Sequence, residues 1–169
     1  YFDESNLSCR IALTAKSFAP GFVSLMQKKG YKNVAALLPD NEYGRGVSSE
    51  LHKNISSING NIVIEEFYNA APGASDYRTN ILKIKAQQNN IDAVVVIQVA
   101  NTVEATLSQI KEIGLTKPLI SDYYTVQNPA LKNLSLADNV DYVDYEYSRD
   151  VLSTDNDLTK KFKKDYFDK

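Results

Sequence analysis

Apolar positions along this chain follow two rhythms that alternate. The runs 34–38 (Val-Ala-Ala-Leu-Leu) and 93–97 (Ala-Val-Val-Val-Ile) are apolar at every position. Short continuous runs of this kind suit strands covered on both faces. Between them, apolar residues recur at helical spacing. Phe18, Phe22, Leu25 and Met26 predict a helix over 17–29, with Gly30 as its C-cap. Val47, Leu51, Ile55 and Ile58 predict one over 43–58, followed by an Asn-Gly-Asn turn at 59–61. A third helix is expected from Asp76 to about Gln88, carrying Ile81, Leu82 and Ile84. A fourth is expected over 101–113, with Val103, Leu107 and Ile110 inward and Gly114 as the stop. Strands are expected at 8–13, 33–38, 62–68, 92–98, 118–121 and 140–147, and a charged helix at 156–167. Strands alternating with helices imply βαβ units, hence an α/β architecture with a mostly parallel sheet and helices on both faces.

Composition narrows the picture without changing it. Of the 169 residues, 43% are apolar and 24% charged, and the net charge is −2 with both signs interspersed. A nucleic-acid surface would carry a basic stripe, so no nucleic-acid partner is expected. Cys9 is the single cysteine, which excludes an intrachain disulfide and reads as a core residue. His52, the single histidine, falls mid-helix and reads as a surface residue. Neither has the neighbours that zinc ligation or covalent catalysis needs. Glu65 and Glu66 are adjacent carboxylates, but neighbours on a strand point to opposite faces. The chain therefore reads as a binder and not an enzyme, with no cofactor and no metal. No run is long enough for a transmembrane helix. The ends, YFDESN and FKKDYFDK, read as those of a fragment, and the sequons at Asn6, Asn54 and Asn133 carry little weight.

Open α/β sheets bind ligands beyond the carboxyl ends of their strands. Four loops occupy such ends here: 39–44, 69–75, 98–102 and 121–125. The first, Pro-Asp-Asn-Glu-Tyr-Gly, lacks the glycine spacing and lysine of a phosphate cradle, and Asp40 and Glu42 would repel a phosphate. Asn41 or Asp40 can cap the following helix, and Gly44 can let that helix approach the strand. Tyr43 adds an aromatic wall or a hydroxyl. In the third loop Gln98 offers an amide, and Asn101 or Thr102 either caps the next helix or meets a ligand at its N-terminus. In the fourth, Asp122 can accept from an ammonium group, and Tyr123 and Tyr124 can pack against apolar ligand parts. The candidate ligand-binding residues are thus Tyr43, Gln98, Asn101, Thr102, Asp122 and Tyr123.

The order of these motifs is familiar. KGYKNVAALLPDNEYGRG resembles the start of the second lobe of type I periplasmic solute-binding proteins, where a strand ending in Asp leads to Tyr-Gly and a helix. The resemblance continues through NGNIVIEEFYNAAPGASDYRTNILKIKAQQNNIDAVVVI, IKEIGLTKPLISD and DLTKKFKKDYFDK, and so covers nearly the whole chain. It is nearest to the branched-chain amino acid or amide class, the Leu/Ile/Val-binding receptors of ABC transporters.

The resemblance implies a three-layer Rossmann-like lobe. Residues 1–150 would form the ligand-binding second lobe, and 151–169 the crossover and helix belonging to a first lobe. It further implies capture of a small organic solute between two lobes, delivery to an ABC permease, and a periplasmic or extracellular location, with lipid anchoring of the full-length protein among the arrangements it allows. Tyr43 would meet the solute, and 98–102 would face the cleft. Position 123, where amino-acid-binding members carry a Glu for the ligand ammonium, holds Tyr here, and Val99 and Ala100 stand where those members place a Tyr. A receptor ectodomain and a repressor effector domain share the architecture and stay open as alternatives.

Overall fold

The computed structural model describes residues 14–99, 102–122, 125, 131, 133–143 and 160. The strand expected at 8–13, Cys9, the boundary near 150 and, apart from Lys160, the helix expected at 156–167 lie outside these residues.

Elements follow in the order α1 (Ala15–Lys29), β1 (Asn33–Pro39), α2 (Glu42–Ile55), β2 (Asn61–Tyr68), α3 (Arg78–Ala86), β3 (Ala93–Val96), α4 (Val103–Ile113), β4 (Leu119–Asp122) and β5 (Val140–Val143). Short 3₁₀ turns occupy Ser56–Ile58, Gln88–Asn90 and Leu134–Ala137. The strands form one sheet in the order β2-β1-β3-β4-β5. Every neighbouring pair is parallel. The fold is therefore α/β, with a parallel sheet between two helical layers.

The apolar runs explain the layering. Val34, Ala36 and Leu38 of β1 and Ala93 and Val95 of β3 point to the face covered by α1 and α2, where Phe18, Phe22, Met26, Val47 and Leu51 close the core. Ala35, Leu37, Val94 and Val96 point the other way, against Ile81, Ile84, Val103, Leu107 and Ile110 of α3 and α4. Each fully buried side chain of this size is worth roughly 1.5–3 kcal/mol, so both layers are needed to hold the sheet. The helix expected over 76–88 is shorter than its pattern, and Leu82 lies outside its buried stripe at 54% exposure. Ile81 and Ile84 already fill the i, i+3 face that meets the sheet, so Leu82 points to solvent.

Along β2 the register shifts once, leaving Val63 as an extra residue opposite β1. Beyond that bulge the alternation resumes. Glu65 faces α2, 3.8 Å from His52. Glu66 faces α3, accepting from Asn80 at 2.9 Å and Lys83 at 3.0 Å. The two carboxylates thus stand on opposite faces, and His52 is exposed.

The helix starts position the site. Because α1 runs antiparallel to the strands and α2 follows β1, both begin at the carboxyl edge of the sheet. Lys29 and Gly30 lie at the other edge, with Gly30 in the left-handed conformation at φ 77°.

Candidate functional site

Strand order reverses at β1: β2 lies on one side and β3 on the other. The crevice expected in such a sheet is therefore outside the carboxyl ends of β1 and β3. The turn leaving β1 is tight. The Asn41 carboxamide oxygen accepts from the Gly44 N–H at 2.9 Å, capping α2. A Cβ on Gly44 would stand 2.0 Å from the Pro39 carbonyl oxygen. Only glycine permits that approach, and it fixes the first turn of α2 against the end of β1. Asp40 turns outward and pairs with Arg45, whose guanidinium also lies 5.0 Å from the centre of the Phe67 ring.

Tyr43 is held over the end of β3 by this turn. Its hydroxyl donates to Asp122 Oδ2 at 3.1 Å. Asp122 ends β4 and is only 3% exposed. Its other oxygen, Oδ1, is buried without a hydrogen-bond partner among the described residues. Burial pushes the Asp122 carboxyl up to about 6, a rise that the Tyr43 hydroxyl and the nearby Thr125 groups partly oppose. A buried carboxylate with no cation beside it among the described residues is poorly compensated, so its environment favours taking up a proton.

Beneath this pair lies a polar network. Ser121 Oγ donates to the Val96 carbonyl at 2.5 Å and touches Thr125 Oγ1. Thr125 Oγ1 donates to Gln98 Oε1 at 2.8 Å, and Gln98 Nε2 donates to the Val103 carbonyl at 3.2 Å. Gln98 is 2% exposed, with both ends of its amide engaged within the protein. Thr102 is fully buried, and its hydroxyl donates to the Val99 carbonyl at 2.9 Å while accepting from the Val99 N–H at 3.2 Å. The Tyr68 hydroxyl donates to the Ile97 carbonyl at 3.0 Å and lies 3.2 Å from Thr102 Oγ1. Burial pushes the Tyr68 phenol up to about 12.

Of the candidates read from the sequence, then, Tyr43 and Asp122 are joined directly at the switch point. Gln98 and Thr102 lie beside them, with their polar atoms occupied in tying the end of β3 to the start of α4. Asn101 and Tyr123 lie outside the described residues.

A groove of about 420 Å³ opens beside Tyr43, lined by Thr14, Ala15 and Lys16 of the α1 start and by Glu42, Gly46, Ser49 and Glu50 of α2. Thr14, Lys16 and Ser49 are not among the residues singled out from the sequence. Their signal was topological: a helix preceding a parallel strand starts at that strand's carboxyl edge, where α2 also starts. No cluster of metal-ligating side chains occurs among the described residues, and no helix there is long and apolar enough to cross a membrane.

The sequence matches the family model described as periplasmic binding protein over residues 6–169. The chain belongs to that family. Solved structures agree on the fold. A type 1 periplasmic binding protein from Bordetella pertussis Tohama I superposes with a TM-score of 0.68 at 19% identity, over 92% of this chain and 41% of that one. A branched-chain amino acid ABC transporter periplasmic ligand-binding protein from Burkholderia xenovorans LB400 gives a TM-score of 0.67 at 19% identity, over 90% and 39%. An ABC transporter solute-binding protein from R. palustris, solved with 4-hydroxybenzoate, gives 0.62 at 19% identity, over 71% and 32%. No curated protein matches the sequence. The chain thus spans between about a third and two fifths of the length of these periplasmic binding proteins.

Proposed function

We propose that this chain is the second lobe of the solute-binding component of an ABC importer, and that it captures a small organic solute in a cleft closed by a first lobe. The observation that carries this reading is the Tyr43–Asp122 pair, set over the carboxyl ends of the strands at the switch point and flanked by an open groove. Loops at that edge are where an α/β lobe meets a ligand, and two such lobes close on it by hinge bending. The chain is, on this reading, one lobe of two, with 151–169 leading into the other. On this reading the solute passes to a membrane permease, and the protein works in the periplasm or outside the cell, with a lipid anchor as one arrangement. It binds and does not catalyse.

The solved relatives include proteins whose names give branched-chain amino acids or whose structures hold aromatic carboxylates. Tyr43, Gln98, Asn101, Thr102, Asp122 and Tyr123 remain the proposed binding set. Tyr43 makes the contact, Asp122 orients it, and Gln98 and Thr102 brace the loop between. The family resemblance sets Tyr123 where amino-acid-binding members carry a Glu for the ligand ammonium, which argues for a solute other than a simple Leu/Ile/Val-type amino acid. Mass spectrometry of small molecules co-purifying with the full-length protein, followed by calorimetry with each, tests the reading. A tight, stoichiometric solute weakened by Tyr43→Ala is expected, and the absence of binding across amino acids, amides and aromatic acids would overturn it.

A further inference from the structure

We propose that the groove between α4 and the start of β4 is a second binding site, for a small carboxylic acid with an apolar body, set apart from the solute cleft. The inference goes beyond solute capture and does not depend on it. The groove holds about 260 Å³. That is slightly under the roughly 300–1,000 Å³ of ordinary small-molecule pockets, so it suits one compact molecule and not a protein segment. Its floor is Leu107 and Ile110 of α4, Leu115 of the turn that follows, Leu119 of β4 and Leu136 of the 3₁₀ turn before β5. All five belong to, or pack against, the core cluster between the sheet and the α3–α4 layer. They offer an occupant apolar contact and no hydrogen bond.

The rim supplies the charge. Lys111 lies one helical turn beyond Leu107 on the same face of α4, so its side chain borders the apolar floor. It has no ion pair among the described residues. The carbonyl end of α4, which would otherwise draw a cation, is met from α3, where Lys85 donates to the Ile113 carbonyl. Lys117 lines the groove too, without an ion pair. It feels the charge of Asp92, but Asp92 Oδ2 accepts from the main-chain N–H groups of Lys32 and Asn33, both at 2.8 Å. Asp138 is the one acid of the rim and pairs with neither lysine. The Ser135 hydroxyl donates away from the groove, to Asn133 Oδ1 at 2.7 Å. An occupant therefore meets two ammonium groups against one carboxylate, over an apolar floor. A carboxylate on a short hydrocarbon matches both halves, with its acid at the lysines and its body on the leucines. Leu119 begins β4 and Asp122 ends it, so at about 3.3 Å per residue the floor lies roughly 10 Å from Asp122, toward the opposite edge of the sheet from Tyr43. Occupants of the two sites do not compete for space.

The test uses the full-length protein with octanoate as the probe, and hexanoate and octanamide as its controls. Methyl NMR should show octanoate shifting Leu107, Leu115, Leu119 and Leu136 together and saturably. Hexanoate should bind on the order of tenfold more weakly, for the methylenes it lacks. Octanamide should bind roughly threefold to tenfold more weakly, for the charge it lacks, and octanoate should lose about as much on the double variant Lys111→Glu, Lys117→Glu. Tyr43→Ala should leave octanoate binding unchanged. Shifts that gather at Tyr43 instead, or no saturable shift at these leucines, overturn the inference. Equal affinity for octanoate and octanamide, or for wild type and the double variant, overturns it as well. Solute binding in the cleft is read by Tyr43→Ala and not by the lysine variant, so the failure of one reading leaves the other standing.

Discussion

The Tyr43 hydroxyl and Asp122 Oδ2 meet at 3.1 Å across the end of β3, joining the start of α2 to the end of β4, 79 residues apart in sequence. The bond bridges the point where strand order reverses. It also brings together a residue that fixes the mouth of the groove and an acid that is almost wholly buried.

That acid makes stability depend on pH with a definite sign. The folded state holds the Asp122 proton up to about 6, above the ordinary 3.8. Asp122 therefore costs nothing below the unfolded value, and its penalty grows as pH rises through the window between the two. Above that window the cost reaches on the order of 3 kcal/mol. Asp122→Asn should accordingly be more stable than wild type in urea unfolding at pH 7, and the two should converge at pH 3.5. A constant difference at both pH values would show that the acid is not the cause.

Tyr43→Phe should push the Asp122 midpoint still higher, because the Tyr43 hydrogen bond is the largest influence holding it down. A carbon NMR titration of the Asp122 carboxyl reads this directly. A fall in the midpoint would mean that the hydroxyl does not stabilise the carboxylate.

Gly44→Ala places a methyl 2.0 Å from the Pro39 carbonyl oxygen. That neighbour is backbone and cannot swing aside. Overpacking of this kind costs typically 1–3 kcal/mol, occasionally more, and the upper end of that range is expected in thermal or urea unfolding. The first turn of α2 would move with it, so solute affinity should fall as well.

Tyr68→Phe removes the donor to the Ile97 carbonyl while keeping the ring against Tyr77, whose centroid is 5.0 Å away. A loss of about 1–2 kcal/mol is expected, as for a buried carbonyl left without its partner. Circular dichroism with chemical unfolding would measure it. A neutral result would mean that the Thr102 hydroxyl takes over the contact.

On α3, Ile81→Ala should cost about 2–5 kcal/mol, as a large-to-small change in the core, whereas Leu82→Gln should be nearly silent. Equal costs would contradict the described face of the helix.

The fold was legible because residues 34–38 of β1 and all of β3 are apolar and their flanking helices carry clean stripes. Burial on both faces leaves few other ways to read such runs. The three apolar residues of α3 did not say which of them face the sheet; that was decided by where Ile81 and Ile84 meet it, leaving Leu82 in solvent. Tyr43 and Asp122 could be singled out from their places after β1 and β4, but the bond between them could not, since it depends on strand order. The inward roles of Gln98 and Thr102 were equally hidden. Both are polar residues in a loop sequence, and only the closeness of Val103, Thr125 and Tyr68 shows them turned inward. Lys16 and Ser49 escaped notice because nothing local marks a groove made by two helices that start side by side.

Two tyrosines reach across the rim in overlapping spans. Tyr68 ties β2 to the tail of β3 past β1, and Tyr43 ties α2 to β4 past β3. Staggered like courses of brick, they leave no seam among the described residues of the rim. Amide exchange at Ile97, Val99 and Thr102 should therefore follow one shared opening event, and cutting either tie should split it into separate, faster ones.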